Sequence, residues 1–263
     1  MPTYIDQIGR EVSIVPFPSR IISVVPSQTE LLYSLGLDEE VIAITKFCVH
    51  PEHWFRNKTR IGGTKKLDID KIKLLKPDLI IANKEENSQE QIEQLSKEFP
   101  IWISDITNLD NALKMMQIIG NIVNRSKEAS SLIQSIQTSF NNLNKNDSLI
   151  KACYLIWKDP FMTIGRDTFI NHLLPYAGFK NVFDYLQRYP TITVEDILDS
   201  KCDVVLLSSE PYPFNEKHVN ELKEQLPGID IYLVDGEMFS WYGSRLIEAA
   251  QYFRELKSKR VDS

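Results

Sequence analysis

Residues 69–81 read IDKIKLLKPDLII, and residues 194–206 read VEDILDSKCDVVL. Laid side by side without a gap, Asp70 meets Glu195, Ile72 meets Ile197, Lys76 meets Lys201 and Asp78 meets Asp203. The run Leu79-Ile80-Ile81 then meets Val204-Val205-Leu206. Each stretch reads as a short helix, a turn and a strand. Lys-Pro-Asp punctuates the first turn, and a continuous apolar run of this length suits a strand covered on both faces.

The flanks repeat as well. Ile21 to Val25 is an apolar strand followed by a helix opening at Ser27 or Thr29 and ending at Gly36. Ala152 to Trp157 is an apolar strand, followed after a loop by a helix opening near Asp167 and ending at Gly178. Asp, Ser and Thr accept hydrogen bonds from the free N–H groups of a first helical turn, and Gly takes the left-handed position after the last. Ile101-Trp-Ile-Ser-Asp105 matches Ile231-Tyr-Leu-Val-Asp235, and a helix follows each. Strands alternating with helices imply parallel sheets with right-handed crossovers. The fold class is therefore α/β, with two Rossmann-like lobes, neither of which has a dinucleotide fingerprint.

Between the lobes, 108–144 holds no proline and a single glycine, Gly120, and Leu113, Met116, Ile119, Ile122 and Val123 are spaced for one helical face. The pattern predicts one long rigid helix, bent near Gly120, rather than a Gly/Ser/Pro linker. The expected organisation is an N-terminal α/β lobe over 1–107, a connecting backbone helix over 108–146 and a C-terminal α/β lobe over 147–263. The ligand cleft is expected between the lobes, where the carboxyl ends of the parallel strands open.

The chain has 263 residues, 43% hydrophobic and 25% charged, and a net charge of −6. That is a soluble globular composition, and the scattered Lys and Arg exclude a concentrated nucleic-acid-binding stripe. Cys48, Cys153 and Cys202 are odd in number and far apart, so no disulfide framework is expected. The N-terminus is polar from the start, with no basic segment, apolar run or lipidation cysteine, and no stretch approaches the roughly 18 apolar residues of a membrane span. Taken as written, the chain has no signal peptide and would be cytoplasmic if its N-terminus is native.

The loops after the predicted strands contain Pro26-Ser27-Gln28, Lys46 to His50 with Phe47 among them, Asn83-Lys84-Glu85, Trp157 to Phe161, Ser208 to Glu210 and Met238 to Tyr242. Tyr189 precedes the repeated helix and joins this set. Aromatic faces with a few hydrogen-bonding groups suit a bulky, partly apolar ligand. Any one ring could equally pack under its own loop. Phe239, Trp241 and Tyr242, three large rings within four residues, are expected to resist burial together and to face the ligand. Pro26, Ser27, Gln28, Phe47, His50, Asn83, Trp157, Tyr189, Phe239, Trp241 and Tyr242 form the candidate ligand-binding set.

No catalytic residue and no resident metal are expected. Cys48-x-His50-x-x-His53 has ligand types that a metal accepts, but its spacing matches no closed site and Pro51 interrupts any helix that would align the histidines. A cleft enzyme using Cys48, His50 and Glu85 is the competing reading. There is no G-x-S-x-G elbow and no phosphate-binding Walker loop. Asp68 suits the start of a helix, where the backbone dipole attracts acids. That account also applies to Asp70 and Glu195, yet the duplication pairs these two. As equivalent acids on two lobes they would suit a two-fold symmetric partner with basic pockets.

These features resemble the helical-backbone family of ABC-importer substrate-binding proteins, which contains vitamin B12, siderophore and haem receptors, with the cobalamin-binding members most similar. The resemblance runs from about Arg20 to Ser258. It rests on strand-Pro-Ser-x-Thr-Glu-Leu-x-x-x-Leu-Gly at Ile21 to Gly36, Ile-Gly-Gly at Ile61 to Gly63, Leu-Lys-Pro-Asp-Leu-Ile-Ile at Leu75 to Ile81, and the paired repeat at Val194. It implies a non-enzymatic binding protein, monomeric, without a cofactor of its own, that passes a corrinoid to a transmembrane permease dimer. An iron-siderophore or haem ligand, or a cytosolic corrinoid binder without a transporter, are the alternatives. The resemblance places Asp70 and Glu195 on the permease-docking surface and Phe47 and Tyr189 at aromatic positions of the ligand site. Thr64 and Asn83 stand where cobalamin receptors carry tryptophans, a departure for which Phe239, Trp241 and Tyr242 could compensate. It also implies a periplasmic or membrane-associated location and, with a helix as connector, little lobe closure.

Overall fold

The computed structural model describes residues 1–143 and 148–261. The expected junction between connector and second lobe, at 146/147, lies outside the described residues. The chain divides into two compact units. The first comprises Met1–Ile106, Asp110–Ser135 and Tyr242–Arg245; the second takes Thr107–Leu109, Ile136–Trp241 and the chain from Leu246.

In the first unit, five parallel strands run in the order Thr59–Arg60, Val41–Ile44, Ile21–Ser23, Leu79–Asn83 and Ile101–Ser104. In the second, four parallel strands run in the order Phe179–Asn181, Ile150–Leu155, Val204–Ser208 and Asp230–Val234. The strands Leu79–Asn83 and Val204–Ser208, both read from the repeat, are buried along their whole length, as continuous apolar runs require.

The repeat is the same local structure twice. Helices Ile69–Leu75 and Val194–Asp199 each bury one isoleucine fully, Ile72 and Ile197. Both turns then place a lysine in the left-handed region, Lys76 at φ 46° and Lys201 at φ 51°. Asp78 follows: its N–H donates to the Arg20 carbonyl at 3.0 Å, and its carboxylate accepts from Ser19 N at 2.8 Å and Arg20 N at 2.9 Å. In the second unit, Asp203 N–H donates to the Lys151 carbonyl at 2.8 Å, and its carboxylate accepts from Lys151 N at 3.0 Å. Each aspartate thus ties the start of its own strand to the neighbouring one.

Two antiparallel hairpins have no counterpart in the sequence reading: Thr3–Ile5 with Glu11–Ser13, and Gly62–Gly63 with Lys66–Leu67. The first shields a sheet edge. Gln7 N donates to Ile103 O at 3.0 Å and Arg10 Nη2 to Ile101 O at 2.9 Å, occupying carbonyls that an edge strand would otherwise expose.

The helix after Ile21–Ser23 spans Pro26–Ser34, so Ser27 lies inside its first turn and neither Ser27 nor Thr29 caps it. Pro26 occupies the opening of the helix and has no N–H to satisfy. Thr29 Oγ1 turns back instead, 2.9 Å from Val25 O and 2.7 Å from Ser23 Oγ.

The stretch expected to be one long helix is two, Leu109–Ile122 and Ser126–Asn141. The break is not at Gly120. It falls where Asn124 takes φ 56°, with Arg125 N donating to Gly120 O at 2.7 Å. Gly120 serves a close approach: a Cβ there would lie 2.4 Å from Ala129 Cβ and 3.1 Å from Arg125 O. Among the described residues no helix is long and apolar enough to cross a membrane.

Two stability predictions follow from these contacts. Gly120→Ala, which stabilises an ordinary helix interior by roughly 1 kcal/mol, will here lower stability by about 1–3 kcal/mol through overpacking, read as a fall in Tm. Asp78→Ala and Asp203→Ala will each cost about 1 kcal/mol in urea unfolding, because backbone donors at a partly solvated strand start lose their acceptor.

Candidate functional site

In the first unit, the loops at the carboxyl ends of the strands rest on a buried polar layer. Gln28 Nε2 donates to Ser104 Oγ at 2.5 Å, and Asn83 Nδ2 donates to the same oxygen at 3.0 Å. Asn83 Oδ1 accepts from Glu85 N at 2.8 Å and Glu86 N at 3.0 Å, which shapes the turn after its strand. Asn87 Oδ1 accepts from Asn83 N at 2.8 Å, while Asn87 Nδ2 donates to Val24 O and Thr64 O, each at 3.1 Å. Pro26, Ser27, Gln28 and Asn83 are all buried, and of these four expected site residues Gln28 and Asn83 belong to this layer. Phe47 stands above it, 51% exposed, and His50 is half-buried.

Cys48 is fully buried, with its sulfur 3.1 Å from both Thr29 Oγ1 and Thr45 Oγ1, and burial pushes its thiol above the usual range. His53 stacks edge-on against Tyr33 at 5.2 Å. The metal-like spacing of Cys48, His50 and His53 therefore does not assemble a site. Among the described residues, no group of three or more His, Cys, Asp or Glu is arranged to hold a metal ion.

In the second unit, Trp157 is 40% exposed and packs edge-on against Tyr212 at 5.6 Å. Its loop is closed by Met162 N donating to Trp157 O at 3.1 Å, and is held to a helix by the ion pair of Lys158 with Glu221. Tyr189 is half-buried, with the Arg188 guanidinium 5.6 Å from its ring centre.

The expectation that Phe239, Trp241 and Tyr242 resist joint burial is corrected: all three are buried. Phe239 packs in the second unit's core against Phe253 at 4.8 Å and Tyr154 at 5.3 Å. Trp241 Nε1 and Ser240 Oγ both donate to Glu210 Oε1, at 2.9 and 2.6 Å. Burial raises the Glu210 carboxyl above its ordinary value, against the lowering effect of those two donors. Tyr242 belongs to the first unit, where its hydroxyl donates to Glu86 Oε1 at 2.6 Å. Three residues further on, Arg245 forms a two-point ion pair with Glu30, Nε to Oε2 at 3.0 Å and Nη2 to Oε1 at 2.5 Å. These partners lie far away in sequence. No periodicity announces them, although Glu30 sits inside the Thr-Glu-Leu segment of the resemblance.

Asp70 and Glu195 are both exposed in the first turns of their helices. Neither caps its helix. Asp68 accepts from Lys71 N at 3.1 Å, and Thr193 forms a capping box with Asp196. The two paired acids are thus left facing solvent. Each has an exposed leucine about one turn later, where positions three or four apart share a face: Leu74 at 81% exposure and Leu198 at 42%.

The chain matches the periplasmic binding protein family over residues 21–228. It is 26% identical to an uncharacterized ABC transporter substrate-binding lipoprotein of Bacillus subtilis, over 95% of this chain and 83% of that protein. It is 24% identical to a vitamin B12-binding protein of Pectobacterium carotovorum, over 89% of this chain and 86% of that one. The solved periplasmic vitamin B12-binding protein of Vibrio cholerae shares the fold, with a TM-score of 0.76 at 21% identity over 94% of this chain and 99% of that one. Parallel-sheet units built on a repeated helix-turn-strand, and a match across most of the sequence, lead to one statement: the chain belongs to the periplasmic binding protein family.

Proposed function

We propose that this protein is the substrate-binding component of an ABC importer, holding a bulky metal chelate, in the first instance a corrinoid, and delivering it to a transmembrane permease dimer. It makes and breaks no bond, acts as a monomer, and works outside the cytoplasmic membrane, periplasmic or tethered to it. The observation that carries this reading is the pair of acids, Asp70 and Glu195, at equivalent positions of two repeated helices. Other residues do the capping, so neither carboxylate is used up by a helix-end hydrogen bond and both remain available to a partner. The exposed leucines beside them add the apolar area that a protein partner buries.

Ligand contact falls to exposed rings at strand ends, Phe47 in the first unit and Trp157 in the second, with His50 in the loop of Phe47 and Tyr189 in a loop of the second unit. The buried Gln28 and Asn83 hold the first unit's loops in shape from below, and Pro26 and Ser27 are buried in the opening turn of the helix beside them. Phe239, Trp241 and Tyr242 support the fold rather than present free faces. A haem or iron-siderophore ligand is the second reading, favoured because Thr64 and Asn83 provide no aromatic platform. A catalytic role for Cys48 is disfavoured by its full burial and raised pKa, since the thiolate is the nucleophile.

Two measurements test the proposal. Titration with cyanocobalamin, followed by heat and tryptophan fluorescence, should give one-to-one binding with quenching, and Trp157→Phe should remove much of that quenching. Absence of binding would move the assignment to haem or an iron chelate. Charge reversal of both acids, Asp70→Lys with Glu195→Lys, should abolish ligand uptake by cells while the purified variant still binds the ligand one-to-one. Unchanged uptake would remove the permease role and leave a binding protein that feeds no transporter.

A further inference from the structure

The Ile-Gly-Gly segment has a use that the repeat does not explain. Gly62 takes φ 91°, and a Cβ there would lie 2.4 Å from Lys66 O, so the tight hairpin with Lys66–Leu67 requires glycine. Gly63 is different, because its φ is unremarkable and what it faces are side chains. A Cβ at Gly63 would lie 3.0 Å from Phe47 Cε2 and 3.3 Å from Lys46 Cε. The bare backbone at Gly63 is the surface on which Phe47 and Lys46 lie. Their own backbone is held to the same hairpin, with Lys46 N donating to Gly62 O at 2.8 Å.

Four lysines, Lys46, Lys65, Lys66 and Lys84, sit in or beside the loops at this end of the first unit, and of these Lys65 and Lys84 are committed, while Lys66 is exposed on the hairpin strand opposite Gly63. Lys84 is paired with Asp105 at 2.6 Å, and Lys65 donates to the carbonyls of Glu85 and Asn87. Lys46 has no ion pair or hydrogen bond through its ammonium among the described residues. Its Nζ lies 5.0 Å from the centre of the Phe47 ring, and both side chains are exposed. A cation held beside an aromatic face keeps its charge and its donors available, and its strongest partner is an oxyanion.

We propose that Lys46 and Phe47 form one recognition element, seated on Gly63, for an oxyanion carried by a flat or macrocyclic ligand: the ring packs on the macrocycle and the ammonium takes the anion. The assignment rests on the reading that the chain binds a metal chelate. The anion has two sources, the phosphodiester of a corrinoid's nucleotide loop or the carboxylate of a haem-type macrocycle. Gly63 is the positioning residue, since a methyl group there must shift both side chains.

The test compares ligand pairs that differ at the anion. Cyanocobalamin carries the phosphodiester, and dicyanocobinamide lacks it. Haemin carries free carboxylates, and its dimethyl ester does not. For whichever pair the wild-type protein binds, Lys46→Gln should weaken the anionic member about tenfold and the other less than twofold, so that the preference collapses. Lys46→Arg should restore most of it, and added salt should erode it in the wild type. Phe47→Ala should weaken both members alike. Gly63→Ala should reduce the preference while Tm holds within a few degrees. Equal loss of both members in Lys46→Gln, or no loss of either, overturns the assignment while leaving chelate binding intact. If the wild type binds neither pair, the corrinoid and haem readings fall and this assignment falls with them.

Discussion

A carboxylate that accepts backbone N–H groups from the next strand is the contact on which each unit is built. Asp78 does this for the pairing of Leu79–Asn83 with Ile21–Ser23, and Asp203 for Val204–Ser208 with Ile150–Leu155. Parallel strands cannot be joined by a tight turn, so their register must come from elsewhere. Here it comes from an aspartate that both donates to and accepts from one residue of its neighbour. The left-handed lysine just before it turns the chain out of the helix and lets that carboxylate arrive. With the central pair aligned, the loops at the opposite ends of those strands emerge at fixed heights. Among those loops is the one after Ile150–Leu155 that carries Trp157, while Phe47 follows the neighbouring strand Val41–Ile44, which pairs with Ile21–Ser23.

The parts of the fold legible in the sequence were those with local or repeated signals. Two copies of helix-turn-strand reinforced each other, and continuous apolar runs marked buried strands. What stayed hidden depended on partners far away in the chain. Phe239, Trp241 and Tyr242 read as a cluster too large to bury, because Glu210, Glu86, Tyr154 and Phe253 could not be seen to receive them. Gly120 read as a bend because glycine weakens helices. Its role is steric, towards Ala129, and the break belongs to Asn124, a residue that tolerates the left-handed region nearly as well. The candidate site was legible to the same degree. Exposed Phe47 and Trp157 followed from their place after apolar strands, whereas the buried positions of Gln28 and Asn83 depended on Ser104, a partner no spacing rule connects to them.

The Glu30–Arg245 pair shows what such distant partners cost and contribute. Its side chains are only 14% and 8% exposed, so both charges lose hydration on folding. Desolvation offsets much of the attraction in such pairs, and removing one partner is far worse than replacing both. The two-point geometry therefore contributes chiefly to specificity: it fixes where Tyr242–Arg245 lies, helped by Gly243, whose hypothetical Cβ would stand 2.9 Å from Ser27 O.

That placement bears on how the molecule can be taken apart. Tyr242–Arg245 is counted with the first unit although the residues on either side belong to the second. No single cut in the chain yields two complete halves. A fragment ending at Ser135 would keep Glu30 and Glu86 but lack Arg245 and Tyr242, and would expose the surface that Gly243 covers. A fragment starting at Ile136 would carry an arginine whose acid had been left behind. Dissection at the midpoint, between the two copies of the repeat, would produce one piece with an unmatched carboxylate and one with an unmatched guanidinium.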